Sequence, residues 1–130
     1  MGSAADHEGM ASSQINRRIN REVLDADRLL VELAEDPRRR AVFVGMRQLL
    51  DVRRRHEAFS PFGTQRVERL DDRVFSVRRG EGSDDELICV TNVTGETVTL
   101  PAVVGVDVLR DHEVYPLTLG PWEYAWVRPR

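Results

Sequence analysis

The sequence predicts an α+β protein: an N-terminal loop and two helices, then a small antiparallel all-β, sandwich-like domain. Three observations carry this prediction. Apolar residues between Leu24 and Arg55 recur at helical spacing. Beyond the turn cluster Ser60-Pro61-Phe62-Gly63 the period changes to two. Turn signals then separate a series of short runs, the pattern of a sandwich or curled sheet rather than of a parallel α/β fold.

Taken in order, residues Met1 to Ser13 are small, polar and without period, so a loop is expected there. Leu24-Asp25-Ala26-Asp27 offers a helix start, with Asp25 as cap and Asp27 adding negative charge to the first turn. Leu29, Leu30 and Leu33 give that helix an apolar stripe. Asp36-Pro37 ends it and begins the next, because Asp36 can cap and Pro37 suits the first helical position. Val42, Phe43, Met46, Leu49 and Leu50 mark one face of the second helix up to about Arg55. Ser60 to Gly63 is the expected boundary, dividing the chain into residues 1–59 and 64–130. Seven strands are expected after it: 65–70, 73–79, 86–92, 96–100, 105–109, 115–119 and 122–127. Leu87-Ile88-Cys89-Val90, apolar throughout, should be a central strand covered on both faces.

Composition narrows the function. The chain has 130 residues, 41% hydrophobic and 32% charged, too few for a whole (β/α)₈ barrel of about 200 residues or more. A net charge of −3 and a pI near 5.6 favour neither nucleic acid nor an anionic membrane as partner. No apolar run approaches the roughly 20 residues of a membrane span. The N-terminus lacks the basic and apolar regions of a secretory signal, so a cytoplasmic location is expected. All 19 basic side chains are Arg, which points to genome composition, since a phosphate-binding surface need not exclude Lys. Cys89 has no disulfide partner and lies in an apolar run, where burial explains it better than reactivity.

Neither period nor composition accounts for Asp6 to Glu22. There a polar loop with two Ile-Asn-Arg triplets, Ile15-Asn16-Arg17 and Ile19-Asn20-Arg21, runs toward the first helix. Arg and Asn are forked and amide hydrogen-bonding groups, suited to the edge of a ligand site. On the residues alone, a solvated Arg17 paired with Glu22 or Asp25 is the stronger reading.

The pattern Gly2-Ser3-x-x-Asp6-x-Glu8, a short spacer, then Arg17-Arg18-Ile19-Asn20-Arg21 resembles the sucrose phosphorylase group of glycoside hydrolase family 13, just after the last catalytic strand of their barrel. Leu24 to Phe59 is similar to the helical segment that follows, and Gln65 to Arg130 to the all-β domain that ends these enzymes. The resemblance covers nearly the whole chain but only about the last quarter of a family member. It implies the end of a barrel in residues 1–59, a terminal β-domain in 64–130, and the absent barrel as packing partner. It also implies glucoside and phosphate as the parent's substrates and no cofactor. Arg17 matches the Arg of the family's Gly-Arg-Asp-Ile-Asn-Arg motif, which contacts the glucosyl unit next to the cleaved bond. Asn16 and Arg18 depart from that motif. Asp6 matches the Asp of an Asn-Asp pair bordering the acceptor and phosphate side, with Ala5 in place of the Asn. Retaining glycosyl transfer needs two carboxyl groups about 5 Å apart. The family supplies them from barrel strands outside this segment, so no catalytic residue is assigned here.

Other constellations have plainer explanations. Asp6-His7-Glu8 is a short acid-His-acid cluster, but His56 and His112 lie far from it in sequence, so no metal site is assigned. Asp84-Asp85-Glu86, on a turn before a strand, should be solvent-facing charges. Arg38-Arg39-Arg40 and Arg53-Arg54-Arg55 have acidic neighbours and suit a charged helix surface better than a nucleic-acid site. Trp122, Tyr124 and Trp126 alternate along the last strand. Exposed, they would form a sugar-stacking platform; core or barrel-facing packing is the expectation, because a small sandwich needs its aromatics. Asn92-Val93-Thr94 is expected to serve a hairpin rather than glycosylation. The rival to the enzyme-segment reading is a stand-alone carbohydrate-binding or interaction β-module.

Overall fold

The computed structural model describes residues 25–130. By compactness the chain divides into two units, Met1–Gly45 and Met46–Arg130.

In the first unit, helix α1 spans Ala26–Glu35 and helix α2 begins at Pro37, running on to Arg54. Both starts follow from their caps. The Asp25 carboxylate accepts from the Arg28 N–H at 3.0 Å. Asp36 Oδ1 accepts from the N–H groups of Arg38 at 2.9 Å and Arg39 at 3.3 Å, satisfying donors that an α-helix start leaves unpaired. Asp36 also donates its own N–H to Glu32 O, closing α1. Helix α1 buries none of its residues, although Leu30 and Val31 lie on it and Val42, Phe43 and Val44 follow on α2, all exposed.

The second unit holds the end of α2, a 3-10 turn at Glu57–Phe59, and eight strands. These are β1 Gln65–Glu68, β2 Val74–Arg79, β3 Leu87–Asn92, β4 Val98–Leu100, β5 Gly105–Asp107, β6 His112–Val114, β7 Leu117–Leu119 and β8 Tyr124–Pro129. A six-stranded sheet runs in the order β1-β2-β3-β8-β5-β6, every pairing antiparallel, and β4 pairs with β7 in a second sheet. Alternation then decides what is inside. Val74, Ile88, Val90, Ala125 and Val127 meet Val98, Leu100, Leu117 and Leu119 of the small sheet, joined by Val103 and Val114. Each such aliphatic side chain contributes about 1.5–3 kcal/mol by leaving water. The fold is the predicted α+β arrangement with a small sandwich-like part.

Two local expectations fail. His112–Val114 forms a strand of its own, hairpinned onto β5 past Asp111, which takes φ 53°. Two of its three residues are exposed and polar, so it shows no apolar alternation to read. The last strand begins at Tyr124, not at Trp122. Gly120 to Glu123 make a turn closed by Glu123 N–H to Gly120 O at 3.2 Å, with Trp122 at φ 60°. At Gly105, φ is 151°, and a Cβ there would lie 1.9 Å from Arg128 O, so only glycine allows β5 to pair with β8.

Candidate functional site

The two sequence-predicted substrate contacts, Arg17 and Asp6, lie outside the described residues, as does the Asp6-His7-Glu8 cluster. Within the described residues, one cluster of polar groups forms where the end of α2 meets the sheet. His56 Nδ1 and Asp85 Oδ1 are hydrogen bonded at 2.6 Å, and Asp85 Oδ2 accepts from the Ala58 N–H at 3.2 Å. Arg79 donates from Nε to Ala58 O at 2.9 Å and from Nη2 to Ser60 O at 3.1 Å. Its guanidinium lies 5.6 Å from the Phe59 ring centre, and Phe59 packs on Trp126 with ring centres 4.5 Å apart. One short segment, His56 to Ser60, is thus tied to three strands or their approaches by charge, backbone and aromatic contact.

That geometry corrects the reading of Asp84-Asp85-Glu86 as solvent-facing. Asp85 and Glu86 are half-buried. Burial pushes the Asp85 carboxyl up, but hydrogen bonds from His56 and the Ala58 N–H outweigh it and hold the group below the usual carboxylate range. Glu86 is held low by the Gly82 N–H, which donates at 2.8 Å, and by Arg78. The pairing of His56 with Asp85 spans 29 positions, and no sequence spacing could reveal it. Both acids serve the fold rather than bond cleavage.

Other candidates resolve likewise. Burial pushes the Cys89 thiol up to about 11, so at neutral pH it is a protonated packing group and no nucleophile. Asn92 is 1% exposed; its Nδ2 donates to Glu96 O at 2.6 Å and Gly120 O at 2.7 Å, while Oδ1 accepts from the Thr94 N–H and hydroxyl. It braces two turns, so this amide is unavailable for glycosylation. Arg39 pairs with Glu32 and Asp36, and Arg40 donates to Leu33 O and Ala34 O at the end of α1. The first Arg run therefore closes a helix. Arg53, Arg54 and Arg55 are exposed in and just past the last turn of α2, where positive charge suits the helix dipole.

The aromatic row lies outside the core of this chain; packing against a barrel would involve a domain that this chain does not include. Trp126 is half-buried against Phe59, but Tyr124 is 37% and Trp122 67% exposed, and Trp122 sits in the turn rather than on the strand. The inner face of the sheet is filled by aliphatic side chains, so the aromatics are left on the outer face and at its end.

Among the described residues no group of three or more His, Cys, Asp and Glu could hold a metal ion, and no helix is long and apolar enough to cross a membrane. Fold and polar groups together define a β-domain entered through helices, whose carboxylates and guanidiniums hold the structure. No family model matches the chain. It is similar along nearly its whole length to glucosylglycerate phosphorylases. The enzyme of Spirochaeta thermophila is 29% identical over 152 aligned residues, covering 99% of this chain and 26% of that protein. That of Allomeiothermus silvanus is 32% identical over 127, covering 97% and 22%. That of Escherichia coli is 25% identical over 133, covering 98% and 24%. The chain thus spans about a quarter of the length of the curated relatives it matches, and corresponds to their C-terminal part.

Proposed function

We propose that the chain is the C-terminal part of a sucrose-phosphorylase-like enzyme of glycoside hydrolase family 13, a retaining glycosyl-transferring phosphorylase of carbohydrate metabolism working in the cytoplasm. The observation that carries this is the similarity over 97–99% of this chain to 22–26% of phosphorylases. Residues 1–59 are then the last barrel loop and helical segment, and 64–130 the terminal β-domain. The parent moves an α-glucosyl group from a glucoside to phosphate: a carboxylate displaces the acceptor, and phosphate then displaces the carboxylate, giving glucose 1-phosphate. Both carboxyl groups of that chemistry belong to the barrel, so this chain is not catalytic alone. Arg17 contacts the glucosyl unit, and Asp6 borders the acceptor and phosphate side. The barrel is also the packing partner for the apolar residues that α1 and the start of α2 leave exposed, which supports the same reading.

Two measurements test it. The purified chain, given sucrose or glucosylglycerate with phosphate, should form no glucose 1-phosphate. Turnover that vanishes on mutating a residue of this chain would overturn the reading. In an enzyme that joins this segment to a barrel, Arg17→Ala should lower kcat/KM by about 10- to 100-fold, the worth of a charged hydrogen bond, and Arg18→Ala far less. Equal losses would remove Arg17 from the substrate.

A further inference from the structure

Of the two Arg runs on the helices, the structure gives an internal task only to the first. Arg39 and Arg40 close α1 through Glu32, Asp36 and the carbonyls of Leu33 and Ala34. Arg53, Arg54 and Arg55 close nothing. The carbonyls beside them are already met by backbone, Val52 O by the Arg55 N–H at 3.0 Å and Arg53 O by the His56 N–H at 3.3 Å. Most described arginines meet a carboxylate, as Arg66 meets Glu81 at 2.7 Å and Arg78 meets Glu68 at 2.8 Å. Among the described residues the guanidiniums of Arg53, Arg54 and Arg55 have no ion pair. Three exposed like charges in a row repel one another, and an anion brought from outside relieves that repulsion.

The three also share a cleft. Consecutive positions of an α-helix point about 100° apart, so an unbroken helix would scatter them around its axis. Helix α2 stops at Arg54 and the chain turns at Arg55. Arg53, Arg54, Arg55, His56, Glu57 and Phe59 then line one cleft of about 500 Å³, within the size range of small-molecule sites. Its floor is held from behind: His56 is bonded to Asp85, Arg79 donates to Ala58 O and Ser60 O, and Phe59 packs on Trp126. A fixed floor under three long cationic side chains is a preorganised receiver for an anion.

Charge selects the kind of anion. Glu57 is the acid among the lining residues, and the C-terminus of α2 adds about half a negative charge. Asp85, behind His56, has a cation of its own in Arg128 Nη2 at 3.8 Å. Roughly one and a half to two positive charges are left over. A phosphomonoester carries about −1.5 to −2 at neutral pH and offers three acceptor oxygens to the guanidinium forks. A carboxylate brings one charge and two oxygens, which a single Arg satisfies. A nucleic-acid strand needs positive potential along an extended track, but exposed Asp51 and Glu57 bracket this run and the chain carries a net charge of −3. We infer that the cleft is a binding site for a small phosphate dianion, inorganic phosphate or a phosphomonoester, held by Arg53, Arg54 and Arg55. The site is separate from the one assigned to Arg17, and stands or falls without it.

The test is a titration of the isotopically labelled 130-residue chain at low, constant ionic strength, followed by amide and Arg side-chain chemical shifts. The probes are inorganic phosphate and glucose 1-phosphate, with acetate as the control anion. Saturating shifts from Arg53 to Phe59 with both phosphates, in roughly the millimolar range and absent with acetate, are expected. Tighter binding of one phosphate than of the other supports the site and says which source fills it. Arg54→Ala and Arg55→Ala should each weaken binding about tenfold, the worth of one charged hydrogen bond, and replacing all three arginines by Ala should abolish saturation. Arg38→Ala removes an equal charge from the first turn of α2 and should leave the affinity unchanged. The shifts of Val90 and Val127 report in each variant that the core persists. No saturation, an equal response to acetate, or equal losses in Arg38→Ala and Arg54→Ala would overturn the proposal. So would a short thymidine strand that shifts the same amides at lower concentration than either phosphate, which would assign the cleft to nucleic acid.

Discussion

Residues 26–45 and residues 46–130 use much the same aliphatic side chains, yet only the second set removes them from water. In the first, Leu30 is 66% and Val42 71% exposed. In the second, Leu87, Val98 and Val127 reach 0%. Periodicity is sound in both: the helices have their caps, the strands their alternation. Local pattern therefore selects the element, and stability depends on whether a second layer exists to receive its apolar side. The small sheet of β4 and β7 is that layer for the β-domain. The first unit contains no second layer among its described residues, and its helices rest on capping, ion pairs and propensity.

The sharpest way to break this contrast is to remove one leucine from each region. Leu119 is 2% exposed and packs in the core, so Leu119→Ala should cost about 2–5 kcal/mol, lost transfer energy plus the cavity left behind. Leu30→Ala should change denaturant midpoint by no more than about 0.5 kcal/mol equivalent, because little area is buried there. Similar losses in urea melts of the two variants would show that α1 has a covering partner in solution. Amide exchange sharpens the same point: β3 and β8 should be protected to the level of global unfolding, and residues 26–35 only weakly.

How much of this was legible beforehand follows from the range of each interaction. The capping roles of Asp25 and Asp36-Pro37 act over two or three positions and are visible in sequence. Leu87 to Val90 as an inner strand follows from composition, and β3 does lie between β2 and β8. The sites of disagreement are non-local. Strand β6 exists because β5 offers it an edge, not because His112-Glu113-Val114 favours extension. Asp85 reads as a surface charge in sequence because its partner His56 lies 29 positions away. Trp122 left the strand because Pro121 and the hydrogen bond of its own N–H to Thr94 O fix a turn. Arg17 and Asp6 were found through resemblance and fall outside the described residues.

A middle-sized effect is expected from the segment His56 to Ser60, whose anchor is electrostatic as well as apolar. The Asp85 carboxyl is held below its ordinary value in the folded protein, so it binds a proton less readily there than in the unfolded chain. Its contribution is therefore present above the ordinary carboxylate value of about 4 and is lost as pH falls through the lower folded one. Asp85→Asn should flatten the acid limb of the stability curve below about pH 4, while His56→Ala should lower the plateau above it. Unfolding midpoints followed by tryptophan fluorescence would show both. A variant with the acid limb unchanged would mean that Asp85 does not hold the segment.

The smallest effect belongs to the ion pairs of α1, and its smallness is the informative part. Arg28 Nε meets Glu32 Oε1 at 3.0 Å across one helical turn, with the Arg side chain 73% exposed. Water screens such a pair, and fixing two long side chains offsets most of the attraction, so exposed pairs of this spacing contribute about 0.3–0.5 kcal/mol. The orientation is also the weaker one, since Arg precedes Glu along the helix. Arg28→Ala should therefore reduce helicity of residues 26–35 slightly, with the reduction disappearing in high salt, and leave the β-domain melt unchanged. Carbonyl and Cα chemical shifts read the helicity, and near-ultraviolet dichroism reads the domain. A shift in the domain melt on removing Arg28 would mean that α1 is coupled to the β-core, and the contrast between a propensity-held helix and a core-held sheet would no longer stand.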